Sequence, residues 1–397
     1  MTIQNQNIRK ILIAPDKFKG SLTSAQAAGA IQRGIEEKSN EPLLFRIIEI
    51  ADGGDGSLEV LQKKIQGAQI ANLQVHDPVG RLVDSKMLIY GGKKAENGAE
   101  SDPEDAKTCA FIEMAKVSGL EMLSKEERNP LYTSTYGMGE AVKYAIAKGA
   151  EQITLSIGGS ATNDGGAGML QALGYKFLDA SGREIACPIC GGDLCRVASI
   201  VAPEGNDALM LQQVQFKVIC DVTNPLLGPQ GATAVYGPQK GADVNGLRLL
   251  EEGLGNYASA GEKSLGIPVR VKERPGTGAA GGVGYASVAF LGAELIPGWK
   301  FFAQITSLEE SVQWADLVIT GEGSLDSQSL SGKVVSGVLN LASKYGKQVI
   351  IFCGVNKLSQ AELGGTPCFP IASLGLPLET CMRDAATLLQ QLARENV

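Results

Sequence analysis

Four glycine-rich segments of the chain carry carboxylate, amide and hydroxyl side chains whose types and spacing could do chemistry. Carboxylates at strand ends can hold Mg²⁺ or accept a proton from an attacking hydroxyl group. For any single residue, the alternative is that it only caps a helix or stabilises a turn. Four such segments in one chain favour a functional role. The segments are ADGGDG, GGSATNDGGAG, CDVTNPLLG and TGEGSLDSQS, with Asp52, Ser160, Asn163, Asp164, Asp221, Asn224, Glu322 and Asp326 as candidates.

Several lysines stand beside glycine in similar segments. Lys17 and Lys19 follow Asp16 just after an apolar run, Lys240 lies in YGPQKGA and Lys333 lies in SLSGK. A transferring phosphoryl group needs cations that balance its charge, and a small carboxylate substrate needs one to bind. Taken alone, each lysine is more often part of a solvated surface. Their position in loops makes them better candidates than lysines on helix faces.

Glycine itself can contribute to a phosphate site, because such sites are usually built from backbone N–H groups that a side chain would block. Gly53 and Gly54 of ADGGDG are candidates of this kind, as are Gly278 and Gly281 of ERPGTGAAGGVG. The alternative for the second pair is a loop in which glycine lets a helix pack closely. Both interpretations stay open at this point.

Three familiar motifs are missing or incomplete. The Walker A pattern is absent, because Gly332 and Lys333 are followed by Val334. The sequence GTGAAG follows VKERP instead of an apolar strand, and no acidic residue stands about twenty positions later, which disfavours a nicotinamide or flavin dinucleotide site. The only histidine, His76, lies in a turn-like VHDP segment, which disfavours a Ser-His-Asp or Cys-His mechanism.

The composition restricts the class of protein. Of its residues, 44% are hydrophobic and 20% are charged, which is ordinary for a globular protein. With 397 residues, the chain is longer than one compact core usually needs, so we expect two domains. A net charge of -7 without long basic runs disfavours nucleic acid as a partner. With no long apolar stretch and no signal-peptide pattern, we expect no membrane partner and a cytoplasmic location. Eight cysteines are too few for a disulfide scaffold.

A cluster of three cysteines, Cys187, Cys190 and Cys195, occurs in CPICGGDLC. A structural zinc site would need a fourth ligand, and the only histidine, His76, is far away in sequence. Ordinary or redox-sensitive thiols are the preferred interpretation, and the role of the cluster is left open.

A short apolar run, a glycine-rich loop and a helical pattern recur four times. The predicted strands are Ile11–Ala14, Phe45–Ala51, Ile153–Ile157 and Leu317–Thr320, with a further strand at Gln348–Cys353. The first helix should begin near Thr23, with Gln26 completing a capping box. The segment Ala71–Glu113 is expected to contain a β-hairpin whose tip carries a polar insertion.

This pattern predicts an α/β protein with mainly parallel sheets, in which ligands bind beyond the carboxyl ends of the strands. We expect a discontinuous Rossmann-like or flavodoxin-like domain made of residues 1–56 and 296–397. A second α/β domain, residues 57–295, would be inserted into it, with the site in the cleft between the two domains.

A set of long motifs occurs in a characteristic order. They are IAPDKFKGSLTSAQAA, ADGGDGS, AFIEMAKVSGL, IGGSATNDGGAGMLQALG, CDVTNPLLG, YGPQKGA, GTGAAGGVG and VITGEGSLDSQSLSGKV. Together they resemble the bacterial glycerate kinase type I family, from about residue 10 to residue 355. Two features depart from the family pattern: the insertion GGKKAENGAESDPEDAK is longer than usual, and Tyr136 stands where an arginine is often found.

The resemblance implies phosphoryl transfer from ATP to D-glycerate, dependence on Mg²⁺ and usually a 2-phosphoglycerate product. Asp164 or Asp221 would orient or deprotonate the attacking hydroxyl group, and Lys17 or Lys240 would offset phosphoryl charge. Asp52, Glu322 and Asp326 are the candidate Mg²⁺ ligands.

The residues predicted to bind substrate or phosphate are Asp16, Lys19, Asp52, Gly53, Gly54, Ser160, Asn163, Asn224, Gly278, Gly281, Glu322 and Asp326. Alternatives are a 3-phosphoglycerate product, another small hydroxy acid as substrate, or a sensor without catalysis. The oligomeric state is not readable from the sequence.

Overall fold

The computed structural model describes residues 8–18, 20–39, 41–49, 56–92, 107–327, 329–330 and 333–397. They form two compact units. Unit 1 comprises the described residues within Met1–Asp52 and Pro297–Val397, and unit 2 comprises those within Gly53–Ile296.

Unit 1 is built on a five-stranded parallel sheet with the strand order β13-β12-β11-β1-β2. Its strands, numbered along the chain, are β1 (Lys10–Ile13), β2 (Leu44–Ile47), β11 (Leu317–Leu325), β12 (Gln348–Asn356) and β13 (Cys368–Pro370). Ile11, Ile13, Leu317 and Ile319 are buried, as the apolar runs of a sheet covered on both faces require.

The helices of unit 1 cover this sheet. They are α1 (Ser24–Lys38), α9 (Gly298–Ile305), α10 (Leu308–Trp314), α11 (Val334–Lys344), α12 (Leu378–Arg383) and α13 (Ala385–Asn396). The predicted start of α1 is confirmed. The Gln26 N–H donates to Thr23 Oγ1 at 3.2 Å, and the Thr23 N–H donates to Gln26 Oε1 at 2.9 Å, which completes the capping box.

Unit 2 contains a six-stranded mixed sheet with the order β10-β9-β6-β5-β4-β3. The strands are β3 (Gln69–His76), β4 (Leu82–Gly91), β5 (Thr108–Glu113), β6 (Gln152–Ser156), β9 (Gln215–Ile219) and β10 (Glu294–Ile296), and β7 (Lys176–Leu178) pairs with β8 (Ser199–Val201) separately. Strands β5, β6, β9 and β10 run parallel. The predicted hairpin is confirmed, because β4 and β5 pair antiparallel. Residues 93–106 of its insertion lie outside the described residues.

The helices of unit 2 are α2 (Ser57–Lys64), α3 (Tyr136–Ala147), α4 (Ala167–Ala172), α5 (Gly205–Gln212), α6 (Ala232–Tyr236), α7 (Val244–Leu265) and α8 (Ala279–Leu291). Met138, Leu155, Leu170, Val218 and Tyr257 belong to the core between these helices and the sheet. None of the helices in the described ranges combines the length and apolar character needed to cross a lipid bilayer.

Three predicted strand ends were wrong by more than one residue. Strand β2 ends at Ile47 instead of continuing to Ala51, β11 continues past Thr320 to Leu325, and β12 continues past Cys353 to Asn356. The extension of β11 has a steric reason. A Cβ at Gly321 would lie 1.8 Å from the Phe352 carbonyl oxygen, so glycine lets β11 and β12 stay paired here. Glu322 therefore lies within a strand and not in a loop.

Candidate active site

In unit 2, the carboxyl ends of β5, β6 and β9 meet at one edge of the sheet, because these neighbouring strands are parallel. The loops that follow β5 and β6 are joined by backbone hydrogen bonds. The Leu120 N–H donates to the Gly159 carbonyl at 2.8 Å, and the Ala161 N–H donates to the Ser118 carbonyl at 2.9 Å. The two loops therefore support each other directly beyond the strand ends.

Lys240 is buried beneath the loop after β6. Its ammonium group donates to Ser160 Oγ at 2.8 Å and to the Thr162 carbonyl at 2.6 Å. Burial lowers the pKa of Lys240 to about 7, although the charge of Asp164 opposes this shift. The structure thus brings together the two predicted residues Lys240 and Ser160, and Lys240 fixes the conformation of the loop.

Asp164 is completely buried at the start of α4. One carboxylate oxygen accepts from the Thr135 N–H at 2.8 Å, from the Thr135 hydroxyl at 2.7 Å and from the Gly168 N–H at 3.2 Å. The other accepts from the Gly166 N–H at 3.1 Å. Burial raises the pKa of Asp164, and these hydrogen bonds oppose the rise. Asp164 satisfies N–H groups that α4 would otherwise leave unpaired.

Asn163 links the same loop to α6. Its amide nitrogen donates to Thr233 Oγ1 at 3.0 Å. Its side-chain oxygen is buried and has no hydrogen-bond partner among the described residues, and the same is true of Thr162 Oγ1. Two buried acceptors therefore remain near the carboxyl end of β6.

The predicted glycines Gly278 and Gly281 lie where backbones pack closely. A Cβ at Gly281 would be 2.1 Å from the Thr162 carbonyl oxygen, and one at Gly278 would be 2.1 Å from the Pro225 carbonyl oxygen. The Gly278 N–H donates to the Asn224 carbonyl at 2.9 Å. These contacts support the packing interpretation, while anion binding by these glycines stays a prediction.

The loop after β9 is organised by Asn224. Its side-chain oxygen accepts from the Tyr236 hydroxyl at 2.7 Å, and its amide nitrogen donates to the Gln230 carbonyl at 2.7 Å. Asp221, two residues after the end of β9, is exposed. The residues before GTGAAG form a 3-10 helix, Val269–Glu273, so the strand that a dinucleotide site requires is replaced by a helix.

Glu113, the last residue of β5, was missed by the sequence analysis. It is buried, and its carboxylate accepts from the Gly56 N–H at 2.8 Å and from the Leu58 N–H at 3.3 Å. It thereby caps α2, the helix that follows ADGGDG. In the sequence, Glu113 could have been recognised as the single acidic residue at the end of the apolar run TCAFIE. Asp52, Gly53 and Gly54 lie outside the described residues.

In unit 1, the segment after β1 is bonded to β11. The Asp16 N–H donates to the Gly321 carbonyl at 2.8 Å, and the Thr320 hydroxyl donates to the Ala14 carbonyl at 2.9 Å. The Lys17 N–H donates to Asp16 Oδ1 at 2.6 Å. Asp16 and Lys17 are half-buried, and Lys19 lies outside the described residues.

Glu322 and Asp326 also lie at the carboxyl end of this sheet, and both are half-buried. Asp326 directly follows β11, and its N–H donates to Ser329 Oγ at 3.0 Å. Carboxylate oxygens are suitable ligands for Mg²⁺, so these two residues fit the ion chemically. Since Asp52 is outside the described residues, the full set of three ligands stays a prediction.

Tyr136 and the cysteine cluster of CPICGGDLC lie elsewhere in unit 2. Tyr136 begins α3, and its ring contacts that of His76 edge-on at 5.9 Å, while His76 Nδ1 lies 2.9 Å from Glu140 Oε1. Burial, with a smaller effect of Cys187, raises the pKa of Tyr136 to about 12. Within the described part of the chain, no group of three histidine, cysteine or acidic side chains is arranged to hold a metal ion, the cysteines of CPICGGDLC included.

Comparison with known proteins bears out the resemblance. The sequence profile of the glycerate kinase family matches residues 11–397. The chain is 42% identical to the glycerate kinase of Halalkalibacterium halodurans, over 97% of this chain and 96% of that protein. It is 44% identical to the glycerate 2-kinase of Escherichia coli K12, over 87% of this chain and 85% of that protein.

A solved structure agrees with the sequence comparisons. The crystal structure of a protein from Salmonella typhimurium LT2, assigned as glycerate kinase 2, matches with a TM-score of 0.78 and 38% identity. The match covers 98% of this chain and 97% of that one. The chain therefore belongs to the glycerate kinase family, whose members are kinases that act on an alcohol group.

Proposed function

We propose that the protein transfers the γ-phosphoryl group of ATP to the 2-hydroxyl group of D-glycerate, giving 2-phosphoglycerate and ADP. The observation that carries this proposal is the family match across residues 11–397. The 2-position rests on the 44% identity to a relative named glycerate 2-kinase. D-Glycerate and MgATP are the proposed small-molecule partners, and a cytoplasmic location stays a prediction.

We assign the role of orienting or deprotonating the glycerate hydroxyl to Asp221 in preference to Asp164. Asp221 is exposed at the carboxyl end of β9, where a substrate can approach it. Asp164 is completely buried, and its oxygens already accept four hydrogen bonds from the protein. A general base has to lie within hydrogen-bond reach of the proton it takes. Asp164 is therefore proposed as a positioning residue.

The two candidate lysines, Lys240 and Lys17, also differ in how deeply they are buried. Lys240 is buried and is bonded to Ser160 and Thr162, so it is proposed to hold the loop after β6 in place. Lys17 is half-buried in the segment after β1. We propose Lys17 as the lysine that offsets charge on the phosphoryl oxygens, because a cation must approach those oxygens to do so.

Glu322 and Asp326 would hold Mg²⁺, with Asp52 as the third proposed ligand. When bound, the ion would supply positive charge against the phosphate oxygens of ATP. Glu322 is fixed by its position in β11, in register with Cys353 of β12. A ligand placed on a strand has a better-defined position than one on a free loop.

The function can be tested by ADP release from the purified protein with MgATP and a series of acids. Turnover should require D-glycerate and Mg²⁺ together. D-Lactate keeps the 2-hydroxyl group and lacks the 3-hydroxyl, whereas 3-hydroxypropionate keeps only the 3-hydroxyl. The proposal predicts slow turnover of D-lactate and none of 3-hydroxypropionate. The reverse preference would contradict the 2-position, and equal ADP release without any acid would contradict the kinase assignment.

A further inference from the structure

Two thiols meet in the sheet of unit 1. Cys353 lies in β12 and Cys368 in the neighbouring strand β13, and their sulfur atoms are 3.6 Å apart. Cys368 is in register with Ile351, so the two cysteines are diagonal neighbours whose side chains share one face of the sheet. Strand β13 has three residues and forms the edge of the described sheet.

The surroundings of the two thiols differ. Cys353 is completely buried among apolar side chains that include Leu325 and Val335, whereas Cys368 is half-buried. The more accessible thiol therefore lies within reach of a second, buried thiol, which is the arrangement found in redox-sensitive sites.

We propose that Cys353 and Cys368 form an oxidative modification site, at which hydrogen peroxide closes a disulfide between β12 and β13. The Cys368 thiolate attacks one peroxide oxygen and breaks the O–O bond. This gives a sulfenic acid and a hydroxide, which takes up a proton to become water. The Cys353 sulfur then loses its proton and attacks the Cys368 sulfur, and the S–O bond breaks to release a second water. The two thiols lose two electrons and the peroxide gains them.

The geometry requires a small movement. A disulfide bond is about 2.05 Å long, so the sulfurs must approach by roughly 1.5 Å. Strand β13 can move by this amount more easily than a central strand, because it is hydrogen-bonded in the sheet to β12 alone among the described strands. Cys353 itself is held in register between β11 and β13.

Closure of the disulfide should also affect turnover. Cys353 is the register partner of Glu322, so the part of the displacement that β13 does not take up acts through Cys353 on a proposed Mg²⁺ ligand. We expect the oxidised protein to lose activity and to regain it after reduction. This second consequence rests on the proposed function, whereas formation of the disulfide does not.

The bond can be detected by peptide mapping. The reduced full-length protein is treated with hydrogen peroxide, remaining thiols are blocked, and the protein is digested without reductant for mass spectrometry. We expect a peptide pair linked through Cys353 and Cys368 that separates on addition of dithiothreitol. Cys368→Ser should abolish it. Cys195→Ser is the matched control, since Cys195 is an exposed thiol that donates to the Gly192 carbonyl, and it should leave the linked pair intact.

Recovery of Cys353 and Cys368 as separate thiols or separate sulfinic acids in the wild-type protein would overturn the modification site. Glycerate-dependent ADP release, measured on the same samples, should fall on oxidation in the wild type and in Cys195→Ser but not in Cys368→Ser. Unchanged turnover of the linked protein would overturn the coupling to Glu322. Absence of turnover in the fully reduced protein would count against the proposed function, and the linked peptide would still decide the modification.

Discussion

The two sheets present their carboxyl ends in different ways. In unit 2, Asp164 and Lys240 are buried and bonded to neighbouring loop residues, so their polar atoms are used inside the protein. In unit 1, the candidates Asp16, Lys17, Glu322 and Asp326 are half-buried. The difference shows that acids and lysines in similar glycine-rich segments can serve two purposes, since the buried ones hold loops in place and the more accessible ones can contact a ligand.

The largest expected effect is the loss of stability on removing Asp164, the buried acid of unit 2. Asp164→Ala removes the acceptor for the Thr135, Gly166 and Gly168 donors and should lower the free energy of unfolding by about 3 kcal/mol or more, because buried donors are left unpaired. Asp164→Asn keeps one oxygen and should cost less. Urea denaturation of both variants measures the effect. A stability equal to that of the wild type would show that Asp164 does not hold the loop.

The next largest effect should be on catalysis, and it involves Asp221, the exposed candidate acid of unit 2. Asp221→Asn should lower kcat by about a hundredfold or more, since loss of a general base typically has an effect of this size. The unfolding temperature should not change, because the side chain is exposed. Steady-state kinetics and thermal denaturation are measured on the same preparation. Full activity of Asp221→Asn would transfer the role of base to another acid.

Substitution of Lys240 should have a smaller effect on stability, and the size of that effect should depend on pH. Its folded pKa of about 7 lies below the ordinary value of 10.5, so between these pH values the folded state binds fewer protons than the unfolded state. Stability due to this group therefore rises as the pH increases from about 7 toward 10. Thermal denaturation of the wild type and of Lys240→Met across this range should show a growing difference in favour of the wild type. A constant difference would contradict the shifted pKa.

The smallest effect is local to unit 1. Thr23→Ala removes the side-chain cap of α1 and should lower the free energy of unfolding by about 1 kcal/mol, without changing the KM for glycerate. Thr23→Ser retains a hydroxyl group and serves as the control. Equal losses in the two variants would mean that the hydroxyl does not provide the cap.

The parts of the fold that depend on nearby residues could be predicted from the sequence. The capping box of α1 joins residues three positions apart, and the β4–β5 hairpin follows from two apolar runs. The extension of β11 could not be predicted in this way. It depends on how closely Gly321 approaches Phe352, which lies in a different strand.

The same limit applies to the candidate site. Glu113 was missed because its partners, the Gly56 and Leu58 amides, are 57 and 55 residues away in sequence. Lys240 could be identified as a lysine beside glycine, but its burial beneath Ser160 depends on contacts 80 residues apart. The sequence indicates which residue types are present, while packing decides which of them face a ligand.

The most direct test of the proposed reaction is phosphorus NMR of the products formed from MgATP and D-glycerate. We expect one new phosphomonoester resonance that coincides with added authentic 2-phosphoglycerate, together with the resonances of ADP. Coincidence with 3-phosphoglycerate would contradict the proposed position of transfer. Intact ATP without any new ester, under conditions where the protein is folded, would contradict the assignment of D-glycerate as the substrate.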